Sequence, residues 1–237
     1  MTAAASDPRE LGTLLSGEAK TLANWAGQFE SRRFAFHVAV IVVGAGLYGA
    51  AMGWWRDPMQ ALYVGIKFPL ILLFTTLGNA LLNGMLAPLL GLNLTLRQSL
   101  VAVLMSFAIT SAILGAFSPL LAFVVWNAPP MTPDVKSTLP YALIKLTHVV
   151  VIAFAGLAGN ARLFQLLAQL GGSKTVASRV LIAWLAVNLF LGSQLTWIAR
   201  PFIGAPRLPV VFLREGALQG NFYENVFSTV TGLFDLD

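Results

Sequence analysis

The sequence predicts an all-α polytopic membrane protein, a bundle of five transmembrane helices. Of its 237 residues 57% are hydrophobic and only 11% are charged, whereas a soluble domain carries roughly 25% charged residues. Five segments are apolar over the length that a helix needs to cross a bilayer, about 20 residues. These two observations favour a membrane protein over a soluble domain with a large core.

The five spans are expected at residues 34–55, 61–86, 99–126, 139–159 and 177–199. The fourth helix is expected to continue towards Leu170. The spans divide the chain into a cytoplasmic amphipathic helix at 1–33, a transmembrane domain at 34–199 and an extracytoplasmic tail at 200–237. The tail contains several prolines and a second amphipathic helix.

The lysines and arginines of the loops predict the orientation of the bundle, because cytoplasmic loops carry an excess of them. One side receives eight: Arg9, Lys20, Arg32, Arg33, Arg97, Arg162, Lys174 and Arg179. The other side receives five: Arg56, Lys136, Arg200, Arg207 and Arg214. The difference places the N-terminus in the cytoplasm and the C-terminus outside. Four tryptophans fall at the outer ends of the spans, as in an aromatic belt: Trp54, Trp55, Trp126 and Trp197.

Several function classes are disfavoured by what the sequence lacks. It has no cysteine, so it contains no disulfide, thiol nucleophile or thiolate metal site. Its two histidines, His37 and His148, lie far apart, and we expect neither a metal centre nor a cofactor. A glycine-rich phosphate loop, a zinc-protease helix and a nucleophile elbow are also missing. The protein is therefore expected not to be an enzyme and, without a basic patch, not to bind nucleic acid.

The N-terminal segment has the pattern of an amphipathic helix. Ser6 or Asp7 is a candidate cap, and Pro8 suits the first helical position. Apolar residues recur at helical spacing: Leu11, Leu15, Leu22, Trp25 and Phe29. This pattern predicts a helix lying on the inner membrane surface or, alternatively, a docking helix for a partner subunit.

Small residues four positions apart indicate close contacts between helices. The pairs are Gly49/Gly53, Ser111/Gly115 and Ala155/Gly159. Such pairs let two backbones approach each other in a bilayer. We expect packing within one chain, with a homo-oligomer as the alternative.

Two lysines, Lys67 and Lys145, lie six or seven residues inside the outer ends of their spans, roughly 10 Å deep at about 1.5 Å per residue. A lysine in a bilayer is costly, and three environments are open to each. The side chain can reach outwards to lipid phosphate, face an interior site for an anion or lipid headgroup, or pair with an acid. The candidate acids are Asp57, Asp134 and those of the C-terminal tail.

Three further polar residues lie near these lysines. His148 is on the same helix face as Lys145, Gln194 is in the fifth span, and Arg200 follows that span. Together with the lysines they form the candidate set for binding an anion or lipid headgroup. For His148 and Gln194 taken singly, a satisfied interhelical hydrogen bond is the alternative.

The stretch after Trp197 is expected to be an outer-surface structure. Trp197 would anchor the fifth span, and the prolines that follow would steer the chain across the bundle. Arg200 has Glu215 or Glu224 as an expected acidic partner, which favours a structural lid over an active site.

The C-terminal region resembles a family of largely uncharacterised bacterial polytopic membrane proteins. The run that closes the last span is Gln194, Trp197, Arg200, Pro201 and Phe202, and a second run follows at Gly220, Asn221, Phe222 and Tyr223. The five-span topology is also distantly similar to that of Yip-family membrane adaptors. The resemblance implies a bacterial inner membrane protein and says little about activity.

Two functions are expected from these observations. The first is a non-enzymatic scaffold or accessory subunit of a larger inner-membrane assembly, contacting lipids and either other subunits or a second copy of itself. The alternative is a channel or transporter for an anion or anionic lipid, which would use Lys67, Lys145 and Arg200.

Overall fold

The computed structural model describes residues 8–131, 138–204 and 208–234, and every regular element within these ranges is a helix. The helices are α1 (Pro8–Ser16), α2 (Ala19–Gly27), α3 (Ser31–Trp54), α4 (Pro58–Leu89), α5 (Leu96–Trp126), α6 (Thr138–Gly171), α7 (Lys174–Ala199) and α8 (Phe222–Phe234). Helices α3 to α7 are long and apolar enough to cross a membrane, which confirms the predicted all-α class and five spans. The candidate caps Ser6 and Asp7 and the candidate acid Asp134 lie outside the described residues.

Local sequence signals set the ends of the long helices. The Asp57 side chain caps α4 by accepting a backbone N–H two residues later at 2.7 Å. Thr95 and Gln98 form a reciprocal capping box at the start of α5. Gly91 and Gly172 have φ of 92° and 62° in the short connections after α4 and α6, a conformation that glycine adopts without steric cost. The chain therefore reverses direction sharply between α4 and α5 and between α6 and α7.

Helix α3 packs closely against α4 and α5 through the predicted small residues. A Cβ atom added at Gly53 would lie 2.5 Å from the backbone oxygen of Gln60 in α4. A Cβ atom added at Gly115 in α5 would lie 2.8 Å from Cα of Gly44. Since neither site has room for a side chain, the expected close packing within one chain is confirmed.

The N-terminal segment forms two short helices, α1 and α2, instead of one. Leu14, Leu22 and Ala26 are buried in the same core as residues of α5 and α6. The Arg162 side chain of α6 donates a hydrogen bond to the backbone oxygen of Leu15 at 2.7 Å. The bundle itself therefore covers part of the apolar face that was expected to contact lipid or a partner.

The bundle has two distinct ends. Helices α1 and α2 lie at the end where α5 begins and α6 finishes, which we call the N-terminal end. The opposite end, here the C-terminal end, carries the starts of α4 and α6 and also residues 200–204 and 208–221, which we call the tail segment. The fold does not determine which end faces the cytoplasm, so the cytoplasmic N-terminus stays a prediction.

Candidate functional site

Lys67 is buried, with 2% of its surface exposed, and its ammonium holds the tail segment against the bundle. It donates hydrogen bonds to the backbone oxygens of Pro201 at 2.6 Å and of Phe212 at 2.8 Å. The rings of Phe202 and Phe212 lie 5.6 and 5.4 Å from the ammonium nitrogen. This environment differs from snorkelling to lipid and from pairing with an acid, because backbone carbonyls and aromatic rings of the chain's own tail surround the charge.

Three further side chains donate to carbonyls of the tail segment. The Gln60 amide donates to Pro201 and Phe202 at 3.0 and 2.6 Å. Arg56 donates to Leu208 at 3.0 Å, and the Tyr141 hydroxyl donates to Gly204 at 3.1 Å. An irregular segment has few backbone partners of its own, and its polar groups need partners wherever water is excluded. The bundle supplies these donors and so fixes the path of the tail.

The sequence interpretation missed Gln60 and Tyr141. Gln60 precedes Lys67 by seven residues on α4, and this spacing puts both on one helix face. The spacing could therefore have predicted that Gln60 and Lys67 contact the same polar partner. Tyr141 carried no such signal, because its acceptor lies in the tail segment, 63 positions further along the chain.

A cavity of about 840 Å³ lies between the bundle and the tail segment. Most of its lining is apolar: Met52, Phe68, Ile152, Pro201, Phe202, Ile203, Gly204, Leu208, Pro209, Val211 and Leu213. The polar members of the lining are Tyr141, Lys145, Thr196, Arg200, Arg214 and Glu215. A volume of about 300–1,000 Å³ with mostly apolar walls and a few polar groups is typical of small-molecule sites.

The course of α7 creates this cavity. Its buried residues are Ala177, Val180 and Trp184, so α7, which is described throughout, buries no residue in its second half. The tail segment lies over the space beside that half. On α6, Ile152 follows Lys145 by seven residues and is therefore about 10 Å further along the helix axis. The cavity thus reaches from a charged rim into the apolar part of the bundle.

Two arginines share one aromatic ring at the rim. The guanidinium carbon of Arg200 lies 3.3 Å from the ring centroid of Trp197, and that of Arg214 lies 5.1 Å away. Arg200 also donates from Nε to the backbone oxygen of Trp197 at 3.2 Å. Burial, and after it the nearby positive charge of Arg214, lowers the pKa of Arg200 from its usual value. We call Arg200, Arg214 and Trp197 the arginine cluster.

The arginine cluster has no acidic partner among the residues that the structure describes. Among the described residues no carboxylate forms an ion pair with Arg200 or Arg214, whereas Arg32–Glu10 and Arg33–Glu30 pairs form at the N-terminal end. The expected pairing of Arg200 with Glu215 or Glu224 is therefore not formed. Instead, the Arg200 guanidinium makes a cation–π contact with the ring of Trp197, three residues earlier in the chain. Nε and Nη2 of Arg214 are buried without an acceptor in the described part of the chain.

The structure brings together some of the predicted site residues and separates others. Lys145 and Arg200 both line the cavity. Lys67, His148 and Gln194 do not belong to its lining. His148 is buried, with Nδ1 3.1 Å from the Tyr48 hydroxyl, and Gln194 accepts the backbone N–H at the start of α8 at 3.0 Å. The interhelical hydrogen bond that was the alternative for each is the one observed, between α3 and α6 for His148 and between α7 and α8 for Gln194.

Residues of the C-terminal sequence signature dock α8 against α7. The ring of Trp197 lies 6.4 Å from that of Phe222. Tyr223 stacks on Phe190 at 5.3 Å and donates to its backbone oxygen at 3.1 Å. Asn221 caps α8 by accepting the backbone N–H of the third residue after it at 2.8 Å. The two halves of the signature therefore meet in space, while Pro201 and Phe202 supply carbonyls to Gln60.

Comparison of the chain with protein families, curated proteins and solved structures finds no match to any of them. The resemblance proposed from the C-terminal signature therefore stays a prediction.

Proposed function

We propose that the protein binds an amphiphile with an anionic headgroup in the cavity at the C-terminal end. The supporting observation is the combination of an apolar cavity floor with three cationic side chains, Lys145, Arg200 and Arg214, and one acid, Glu215, in the same lining. The proposal develops the expected anion or anionic-lipid function and keeps Lys145 and Arg200 in it. Transport across the membrane remains a separate prediction.

The arginine cluster supports an anionic headgroup over a neutral one. A buried hydrogen-bond donor without an acceptor costs about 1–3 kcal/mol, and more for a charged group. Nε and Nη2 of Arg214 are two such donors. An oxyanion at the rim would supply acceptors and would also reduce the repulsion between Arg214 and Arg200.

The apolar lining supports a ligand with a hydrocarbon part over a small free anion. Met52 of α3, Phe68 of α4 and Ile152 of α6 come from three helices and form one apolar wall. Burying hydrocarbon against such a wall contributes about 25 cal/mol per Å² of apolar surface. A free anion would gain none of this.

The proposal is tested by lipid retention through purification. The protein is extracted in a mild non-ionic detergent, and native mass spectrometry records the bound lipids and their charge class. We expect the wild-type protein to retain an anionic amphiphile. Combined Arg200→Gln and Arg214→Gln substitution should weaken retention about 10- to 100-fold, since a hydrogen bond to a charged group contributes about 1.5–3 kcal/mol.

The matched control is Arg179→Gln, which removes an exposed arginine from the N-terminal end of the same helix, α7. The control should retain lipid as the wild-type protein does. Equal retention by all three proteins, with unchanged thermal unfolding, would contradict the proposed site.

A scaffold or accessory subunit of a larger inner-membrane assembly is the second candidate. It is favoured by the low burial of α7, of which 17% of the most apolar window is buried within the chain. A neighbouring subunit could cover the remainder. Mass measurement after gentle extraction at native expression level tests this candidate, and a strictly monomeric particle without copurifying protein would rule it out.

A further inference from the structure

The charges of the described residues that line the cavity do not balance. Lys145, Arg200 and Arg214 contribute three positive charges to the lining, and Glu215 contributes one negative charge. Charges next to an apolar, weakly screening wall interact more strongly than charges in water. A ligand with two negative charges would neutralise the described lining, and a ligand with one would leave an excess cation.

The arginine cluster holds two of these cations close together. Both guanidinium carbons lie within 5.1 Å of the centroid of Trp197. Arg200 donates a hydrogen bond from Nε to the Trp197 carbonyl, and this bond orients the guanidinium plane of Arg200 on the indole ring. A single oxyanion beside this ring therefore has two guanidiniums within reach, and holding like charges together is unfavourable without one.

Arg214 presents a matching pair of donors. Nε and Nη2 stand on the same edge of the guanidinium, and this edge binds two oxygens of one carboxylate or phosphate in a bidentate manner. Both nitrogens are buried without an acceptor in the described residues. The donors that the described residues leave without an acceptor are thus the two that can bind a pair of oxygens of one oxyanion.

The headgroup chemistry follows from the charge. At neutral pH a phosphate monoester carries about −1.5 to −2, whereas a phosphodiester and a carboxylate each carry a single charge. We infer that the cavity selects an amphiphile whose headgroup is a phosphate monoester, held between Arg200 and Arg214 with Lys145 completing the charge balance. This inference rests on the proposed function and names the headgroup class for the same cavity.

The test compares four probes on the full-length protein in non-ionic detergent: phosphatidic acid, phosphatidylglycerol, oleate and glycerol phosphate. Native mass spectrometry titrations give the dissociation constant of each. At pH 7.5 we expect phosphatidic acid to bind about tenfold more tightly than phosphatidylglycerol or oleate, because one further charge interacts with the rim cations. Glycerol phosphate, which lacks the hydrocarbon part, should bind at least tenfold more weakly than phosphatidic acid.

A pH series separates headgroup charge from headgroup shape. The second pKa of a phosphate monoester is about 6, so acidification from pH 7.5 to 5 removes most of its second charge while the arginines keep theirs. The tenfold preference for phosphatidic acid should fall to about twofold. Phosphatidylglycerol keeps its charge over this range and reports any titration of the groups facing the site, which are Tyr141, Lys145, Arg200, Arg214 and Glu215.

The variants locate the preference. Arg214→Gln should reduce the preference for phosphatidic acid over phosphatidylglycerol to about twofold or less at pH 7.5. Arg179→Gln, at the other end of α7, should keep it. A preference that Arg214→Gln leaves at tenfold would overturn the assignment to this cavity.

The remaining outcomes distinguish the inference from the proposed function. Equal binding of phosphatidic acid, phosphatidylglycerol and oleate would overturn the phosphate monoester and leave an anionic amphiphile site. Glycerol phosphate binding as tightly as phosphatidic acid would support the headgroup and overturn the amphiphile. Absence of binding by all four probes would overturn both.

Discussion

Replacement of Lys67 by methionine should release the tail segment from the bundle. Methionine keeps most of the apolar stem and removes the ammonium that donates to Pro201 and Phe212 at 2.6 and 2.8 Å. Each such charge-assisted bond is worth about 1.5–3 kcal/mol. Part of this loss is offset, since a 2% exposed ammonium is expensive to keep out of water.

The two carbonyls are affected unequally. Pro201 still accepts from Gln60 at 3.0 Å, whereas Phe212 loses the described side-chain donor that it had. We therefore expect the free energy that docks the tail to fall by about 2–4 kcal/mol, which raises the open fraction about 30- to 700-fold.

Hydrogen exchange measured by mass spectrometry on peptides from residues 208–219 reports this opening, because exchange tracks the population of locally open states. The matched control is Lys145→Met, which removes an exposed lysine at the same end of the bundle and should change exchange in this segment by less than about threefold. Circular dichroism verifies that the helices persist. Unchanged exchange in Lys67→Met, with a folded bundle, would refute the anchoring role of Lys67.

Two further predictions concern the bundle itself. Gly44→Ala should destabilise the protein by about 1–3 kcal/mol, because its Cβ atom would collide with the backbone at Ser111. Gly156→Ala is the control, because a Cβ atom there would meet open space, and it should be neutral or stabilise the protein by up to about 1 kcal/mol. Thermal unfolding in detergent compares the two variants. Similar shifts of the melting temperature in both would contradict the packing argument. Arg162→Gln should remove the 2.7 Å hydrogen bond to Leu15 and speed proteolysis within α1, and an unchanged cleavage rate would show that this bond does not hold the helix.

Hydropathy predicted the five long apolar helices well, because the apolar length of each helix is a property of its local composition. The expected start at residue 34 and the observed start of α3 at Ser31 differ by one turn. Helix α4 extends to Leu89, beyond the expected end at residue 86. The three additional residues at the start of α3 are polar, Ser31, Arg32 and Arg33, so hydropathy underestimates how far that helix extends; this reason does not apply to the end of α4, where the additional residues are not polar.

The candidate site was only partly predictable. Lys67 and Arg200 stand out in the sequence because each is a charge that an apolar chain must accommodate. Their partners do not stand out. The acceptors of Lys67 are backbone carbonyls 134 and 145 positions away. Because every residue has a backbone carbonyl, the sequence does not indicate which ones accept. Arg214 had no signal either, since its position beside Trp197 depends on the fold of the tail.

The sequence by itself determined the all-α class, the five long apolar helices, their ends to within about one turn, and the presence of costly lysines within two of them. These properties depend on apolar length, caps and glycines within a few residues of each other. Only the tertiary structure decided that Lys67 anchors the tail, that Lys145, Arg200 and Arg214 border one cavity, and that α7 leaves room for it. Those features arise where segments distant in sequence meet, and the free energy of such contacts depends on geometry that local patterns do not encode.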